Sequence, residues 1–268
     1  MFNFDSILRK GTTPFTIAGP CSAESESQVL QTAQALAQIG ITVFRAGLWK
    51  PRTRPGYFEG VGADGLEWLR NVKRLTGMAV ATEVATALHV EKCIAAGIDV
   101  VWIGARTSGN PFSMREISDA LRDAPADMTV FVKNPLAPDI EAWIGAVERV
   151  ALAGVTNIAA VHRGFAAYGQ HLYRNQPQWA VAVDFCKRMP EIPMIIDPSH
   201  MAGRVCLVEQ LCIHALELGF NNLMIECHID PSVALTDKAQ QLTPFQLNEL
   251  ISALGRKSQN LSPCSRTA

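Results

Sequence analysis

Six cations stand close behind short apolar runs: Arg45, Lys50, Arg52, Arg106, Lys133 and Arg163. Gathered round one cavity they would repel one another, and in a low dielectric each unpaired charge costs several kcal/mol. An anion must therefore sit among them. Arg presents a bidentate fork to phosphate or carboxylate and Lys a point charge, so the mixture suits a small molecule bearing both groups. Taken singly, each is an ordinary surface cation with an acidic neighbour. Six at equivalent places in the chain are not.

A second set, Cys21, His200, Glu226 and Asp237, combines sulfur, nitrogen and oxygen donors. Such a mixture suits a borderline divalent ion, Mn, Fe, Co or Zn, and a site with an open position polarises a carbonyl as a Lewis acid. The four form no local motif. Cys21 alone reads equally well as a small core residue, and His200 as the hydrogen-bonded end of a strand.

What would position them is a series of eight apolar runs, at 15–18, 43–46, 78–82, 100–104, 129–133, 157–162, 193–197 and 222–226, with helical patterns between. The runs are apolar throughout rather than alternating, as in parallel strands covered on both faces. Helical segments at 27–39, 85–96, 140–153 and 205–218 are each followed at once by glycine, at 40, 97, 154 and 219, the residue that most often terminates a helix. Eight β-then-α units predict a single (β/α)8 barrel over 15–255, with a lead at 1–14 and a tail at 256–268. The doubly wound open sheet also alternates strand and helix, but its glycine-rich turn after the first strand is missing. In a barrel of this kind the chemistry collects at the C-terminal ends of the strands. That is where both sets fall, with Glu83 beside them.

The chain of 268 residues is ordinary for one such barrel, and 48% apolar against 18% charged residues gives a core and no case for disorder. A net charge of −1 argues against nucleic acid or an anionic membrane as partner. No apolar run approaches the roughly 20 residues of a membrane span, and no export signal opens the chain. Seven cysteines, an odd number without CxxC spacing, fit a reducing cytoplasm. No organic cofactor is expected.

The segments Ala18-Gly19-Pro20-Cys21-Ser22, Lys50-Pro51-Arg52-Thr53, Gly104-Ala105-Arg106-Thr107, Asp197-Pro198-Ser199-His200 and Thr236-Asp237 together resemble type I 3-deoxy-D-arabino-heptulosonate 7-phosphate synthases, in their short β-type branch. The resemblance runs from about Phe15 to Leu247. It implies the condensation of phosphoenolpyruvate with erythrose 4-phosphate that opens the shikimate pathway to the aromatic amino acids. It further implies a divalent metal on Cys21, His200, Glu226 and Asp237, and phosphoenolpyruvate on Arg45, Lys50, Arg106, Lys133 and Arg163. Arg52 and Thr53 would meet the aldose phosphate, and Asp197 counts with the substrate-side residues. Lys50 and His200 are the candidates for proton transfer, with Cys21 grouped as catalytic through the metal and Glu83 in reserve.

The same branch contains 3-deoxy-D-manno-octulosonate 8-phosphate synthases, which use arabinose 5-phosphate and read Lys-Ala-Asn-Arg where this chain has Lys50-Pro51-Arg52-Thr53. Erythrose 4-phosphate is therefore the expected substrate. Just downstream, Arg54-Pro55-Gly56-Tyr57-Phe58-Glu59-Gly60 departs from the usual Ser-Pro-Tyr and Phe-Gln-Gly. A metal-dependent aldolase or hydrolase, or a binding module without turnover, are the readings of other classes. Relatives of this kind assemble as homodimers or homotetramers, and some carry a fused chorismate mutase, so such a domain or partner is a further expectation.

Overall fold

The computed structural model of the chain describes residues 14–260. Most of the lead expected over 1–14, and the tail beyond 260, lie outside those residues. Eight parallel strands follow in chain order: β1 Phe15–Gly19, β2 Val43–Arg45, β3 Ala79–Val84, β4 Val100–Ile103, β5 Thr129–Lys133, β6 Asn157–His162, β7 Met194–Ile196 and β8 Asn222–Glu226. Each pairs with the next, and β1 pairs with β8, so the sheet closes into the expected barrel. At the end of β7 the bound differs from the sequence reading because a polar residue has another partner. Asp197 leaves β7 to cap the helix Pro198–Ala202, its Oδ1 accepting from the His200 backbone N–H at 3.1 Å. At the other extreme β3 runs on to Val84, which makes Glu83 a strand residue.

The four helices anticipated from periodicity are Glu26–Gln38, Ala87–Ala95, Ile140–Leu152 and Val208–Glu217. Ser25, Thr86 and Asp139 accept from backbone N–H groups of the first turn of three of them, and such caps fix where a helix begins. The fourth starts late because Val205–Leu207 winds as a 3-10 turn. Pro244–Asn260 passes the boundary expected at 255, since Gly255 sits inside it without a left-handed turn. One interior glycine costs a helix only about 1 kcal/mol. Among the described residues no helix is long and apolar enough to cross a membrane, and Cys21, Cys93, Cys186, Cys206, Cys212 and Cys227 are all free thiols.

Two apolar layers result from the pleat. Phe44, Val80, Val101, Val130, Val132, Ala160 and Ile225 pack outward against the helices. Val43, Ala81, Trp102, Phe131, Val161, Ile195 and Met224 fill the barrel axis. Because strand side chains alternate with period two, the residue two further on returns to the axis nearer the mouth. Val43 thus leads to Arg45, Ala81 to Glu83, Phe131 to Lys133, Val161 to Arg163, Ile195 to Asp197 and Met224 to Glu226. An apolar plug carries the polar floor of the site. At Gly19, φ is 151° and an added Cβ would lie 2.0 Å from the Arg45 carbonyl oxygen, so only glycine lets β1 approach β2 here.

Candidate active site

At that mouth a cavity is lined by Lys50, Arg52, Thr53, Glu83, Arg106, Lys133, Arg163, Arg174, His200 and Asp237, with loop residues Arg54 and Tyr57 at its rim. Five of the six cations read from the sequence share it. Arg45 does not line it. Fully buried on β2, Arg45 lies below, with Nη2 3.3 Å from Glu226 Oε1 and its guanidinium 4.7 Å from the Trp102 ring centre. Its register partner on β3 is Ala81, two residues short of the cavity-lining Glu83. Asp197 is equally buried, and both its oxygens are occupied by protein groups.

Side chains from four separate places meet at the floor. One donor atom each from Cys21, His200, Glu226 and Asp237 lies within 4.8 Å of the others. Cys21 Sγ is 3.3 Å from Asp237 Oδ2, and His200 Nε2 is 3.5 Å from Glu226 Oε1. His200 Nδ1 pairs with Asp197 Oδ2 at 2.8 Å, leaving Nε2 for the cluster. Glu226 Oε1 is buried and accepts no hydrogen bond, although Arg45 and His200 stand near it. A thiol, an imidazole nitrogen and two carboxylates around one point, with an oxygen in want of a partner, fit a borderline divalent ion.

Electrostatics point the same way. Burial and the neighbouring Glu226 push the Cys21 thiol up to about 12, so the sulfur keeps its proton unless a cation replaces it. For Glu226 burial works against the charge, but His200 and Arg45 outweigh it and hold the carboxyl below its usual range. Asp237 is held down in the same sense by Arg174 and His200 against its burial. Burial also opposes charge on Lys50, yet Cys21, once its sulfur is a thiolate, and the carboxylates of Glu83 and Glu226 raise it above the usual lysine range. Its Nζ lies 3.2 Å from Cys21 Sγ and 4.0 Å from Glu83 Oε2.

Across the cavity Lys133 Nζ bonds Asp197 Oδ2 at 2.7 Å. Burial lowers the lysine from its ordinary value, while Asp197, despite its burial, is held well below the carboxylate range by His200 and Lys133. Arg163 is anchored through Nη1 to Asn175 Oδ1 at 2.7 Å, and Asn134 Oδ1 takes its backbone N–H at 2.7 Å. Arg106 Nη2 donates to Thr53 Oγ1 at 3.0 Å, which ties the loop after β2 to the helix Ala105–Ser108. Arg52 lies over Tyr57, 5.5 Å from its ring centre.

Sequence reasoning did not single out Arg174, Asn175 or Gln240. They lie on the long loop after β6 and on the short turn beyond Asp237, where no periodic pattern marks them.

A closed parallel barrel with a cationic cavity over a mixed-donor cluster defines an α/β-barrel protein with an anion-receptive, metal-competent mouth. Comparison with known proteins narrows this. A family profile described as the DAHP synthetase I family matches residues 5–262. A phospho-2-dehydro-3-deoxyheptonate aldolase of Thermotoga maritima is 33% identical over 255 residues, covering 95% of this chain and 73% of that protein. A 2-dehydro-3-deoxyphosphooctonate aldolase of Geotalea daltonii is 27% identical over 259 residues, 89% of this chain and 90% of that protein. The crystal structure of the Thermotoga maritima DAHP synthase is similar with a TM-score of 0.83 at 30% identity, covering 94% of this chain and 71% of the other. A truncated form of the Thermotoga maritima 3-deoxy-D-arabino-heptulosonate 7-phosphate synthase gives 0.78 at 27% identity over 94% and 88%. The chain belongs to the DAHP synthetase I family.

Proposed function

We propose that this chain joins phosphoenolpyruvate to erythrose 4-phosphate, with water, to give 3-deoxy-D-arabino-heptulosonate 7-phosphate and inorganic phosphate, the first step towards the aromatic amino acids. The observation that carries the reading is the shared cavity: Lys50, Arg106, Lys133 and Arg163 line the same opening as His200 and Asp237. A doubly anionic enol ester matches that charge, and Lys133 and Arg163 are held by Asp197 and Asn175 in fixed directions, which removes orientational freedom before reaction.

In this reading Cys21, His200, Glu226 and Asp237 hold a divalent metal, which when bound supplies Lewis acidity for a carbonyl. Carbon 3 of phosphoenolpyruvate attacks the aldehyde carbon, and the aldehyde oxygen takes a proton. Lys50 is the donor, because its surroundings keep the ammonium charged and its Nζ stands over Cys21. His200 is the weaker candidate, since Nδ1 is engaged by Asp197 and Nε2 faces the donor cluster. Water adds at carbon 2 and loses a proton, which restores the Lys50 ammonium. C–O cleavage then releases phosphate, which takes the hydroxyl proton as the ketone forms, while Arg106, Lys133 and Arg163 stabilise the charge gathering on its oxygens. Arg52 and Thr53 meet the aldose phosphate from the loop after β2. Homodimeric or homotetrameric assembly, a cytoplasmic location and a chorismate mutase partner or domain are extensions of the family resemblance.

Phosphate release is the test. It is expected to require both phosphoenolpyruvate and erythrose 4-phosphate, to be lost with chelator, and to be far slower with arabinose 5-phosphate. Faster turnover of the pentose phosphate would move the chain to octulosonate synthesis, and release without phosphoenolpyruvate would overturn the reading.

A further inference from the structure

Each carboxylate of the donor cluster has one oxygen turned towards Cys21 and His200 and one turned away. Asp237 Oδ2 lies against Cys21 Sγ at 3.3 Å, whereas Oδ1 pairs with Arg174 Nη1 at 3.0 Å. Glu226 Oε1 faces His200 Nε2 at 3.5 Å, whereas Oε2 accepts from Gln240 Nε2 at 2.8 Å. The two outward partners are themselves joined, Arg174 Nη1 donating to Gln240 Oε1 at 2.8 Å. With its oxygen taking one bond and its nitrogen giving the other, the Gln240 amide has a single orientation that satisfies both.

We propose that Arg174 and Gln240 form one positioning relay for the metal centre, locking the outward oxygens of Asp237 and Glu226 so that the inward pair is presented to the ion. This rests on the metal reading above.

Three features fit a relay rather than an incidental contact. Asp237 has φ 47°, a left-handed conformation that a side chain other than glycine adopts at a cost, and the ion pair to Arg174 holds its carboxylate in place there. Arg174 is itself located by the helix that bears His200: an added Cβ at Gly203, just past that helix, would lie 2.5 Å from Arg174 Cβ. Next in the chain, Asn175 donates to the His200 carbonyl oxygen at 2.6 Å and accepts from Arg163. One short stretch therefore ties two of the donors, Asp237 and His200, to the substrate-side cation Arg163. Finally, the guanidinium holds Asp237 directly and Glu226 through Gln240, so one group fixes the outward oxygens of both carboxylates. Groups of this kind around metal ligands typically change affinity 10- to 100-fold when removed.

The test titrates metal-free enzyme with Co(II) and follows the thiolate-to-metal absorption band contributed by Cys21. Arg174→Met and Gln240→Leu are each expected to weaken Co(II) binding about 10- to 100-fold, and the double variant little more than the worse single, because the pair acts as a unit. Arg174→Lys, which returns a charge to Asp237, should recover part of the loss. The melting temperature of metal-free Arg174→Met should stay near wild type, as that side chain is 42% exposed, whereas a merely structural residue would lower it and leave the affinity alone. Unchanged Co(II) affinity in Arg174→Met, or strictly additive losses, would overturn the relay. Should Gln240→Leu fail to fold, the Met and Lys variants at 174 decide by themselves. A wild-type protein showing no band on Co(II) addition overturns the metal reading and the relay with it, an outcome distinct from a wild type that binds while its variants bind alike.

Discussion

Asp197 grips His200 twice, through Oδ1 on the backbone N–H at 3.1 Å and through Oδ2 on ring Nδ1 at 2.8 Å. The first contact caps the helix; the second fixes the ring and puts the proton on Nδ1, so that Nε2 offers its lone pair to the cluster. Asp197→Asn keeps the capping oxygen, since Asn caps about as well as Asp. It removes the charge that favours this tautomer. We expect circular dichroism to be unchanged, metal affinity to fall about 10- to 100-fold and kcat to fall with it. Wild-type affinity in this variant would show that the imidazole does not depend on its carboxylate.

Lys133, which lines the cavity, shares Asp197 Oδ2 with that imidazole. Lys133→Met removes one charge from the anion site and spares the loop that carries Arg52 and Thr53. A hydrogen bond to a charged group contributes about 1.5–3 kcal/mol. The KM for phosphoenolpyruvate should rise on the order of 10- to 100-fold, with that for erythrose 4-phosphate within a few-fold. Steady-state kinetics with each substrate varied in turn check this, and the reverse pattern would mean that the two pockets are exchanged.

Removing the metal should disable the enzyme without unfolding it, because the core under the site is a continuous apolar plug from Ile17 to Met224 that does not include the four donors. An ion present at about 100 times its Kd adds about 2.7 kcal/mol of stability, and 1 kcal/mol moves the melting temperature of a domain of this size by roughly 2–4 °C. Chelation is expected to abolish phosphate release and lower Tm by roughly 5–10 °C, with the far-ultraviolet spectrum intact. Collapse of that spectrum would show that the cluster is needed for folding.

Acid should act through a residue outside the cavity. His162 is fully buried, its ring 5.6 Å from Trp179 and 5.5 Å from Phe165, with Nε2 bonded to the Pro177 carbonyl. Burial, with Arg163 adding to it, lowers its pKa to about 4. Below the unfolded value near 6.5 the unfolded chain binds a proton that the folded chain refuses, so stability is full above that pH and is lost as pH falls from 6.5 towards 4. At about 1.4 kcal/mol per unit the loss is roughly 3 kcal/mol. Denaturant unfolding of His162→Gln should show a flatter profile across that window. A slope equal to wild type would place the acid lability elsewhere.

The barrel and most of the site were readable in the chain because parallel strands buried on both faces leave unbroken apolar runs, and the residues just past each run must face the mouth. Lys133, Arg163 and Glu226 were located in this way. Depth was not readable: Arg45 at the end of β2 and Arg52 in the loop after it look alike as cations, yet one lies buried under the cavity and the other lines it. Nor was the relay, since Arg174 and Gln240 sit in irregular segments whose direction is set by tertiary contacts rather than by period. His162 and Arg163 are adjacent in the chain, and the pleat sends one into the helical layer and the other to the cavity.

The alternation that seats Lys133 two places after Phe131 couples the oily interior to the reactive rim. Slipping β5 by a single position would turn Val132 towards the rim and Lys133 towards the helices, spoiling packing and chemistry together. Insertions and deletions are therefore barred from the staves of this barrel. The loop holding Arg52 and Thr53 is free of that constraint, and it is there that a change of sugar preference could arise without disturbing the scaffold beneath.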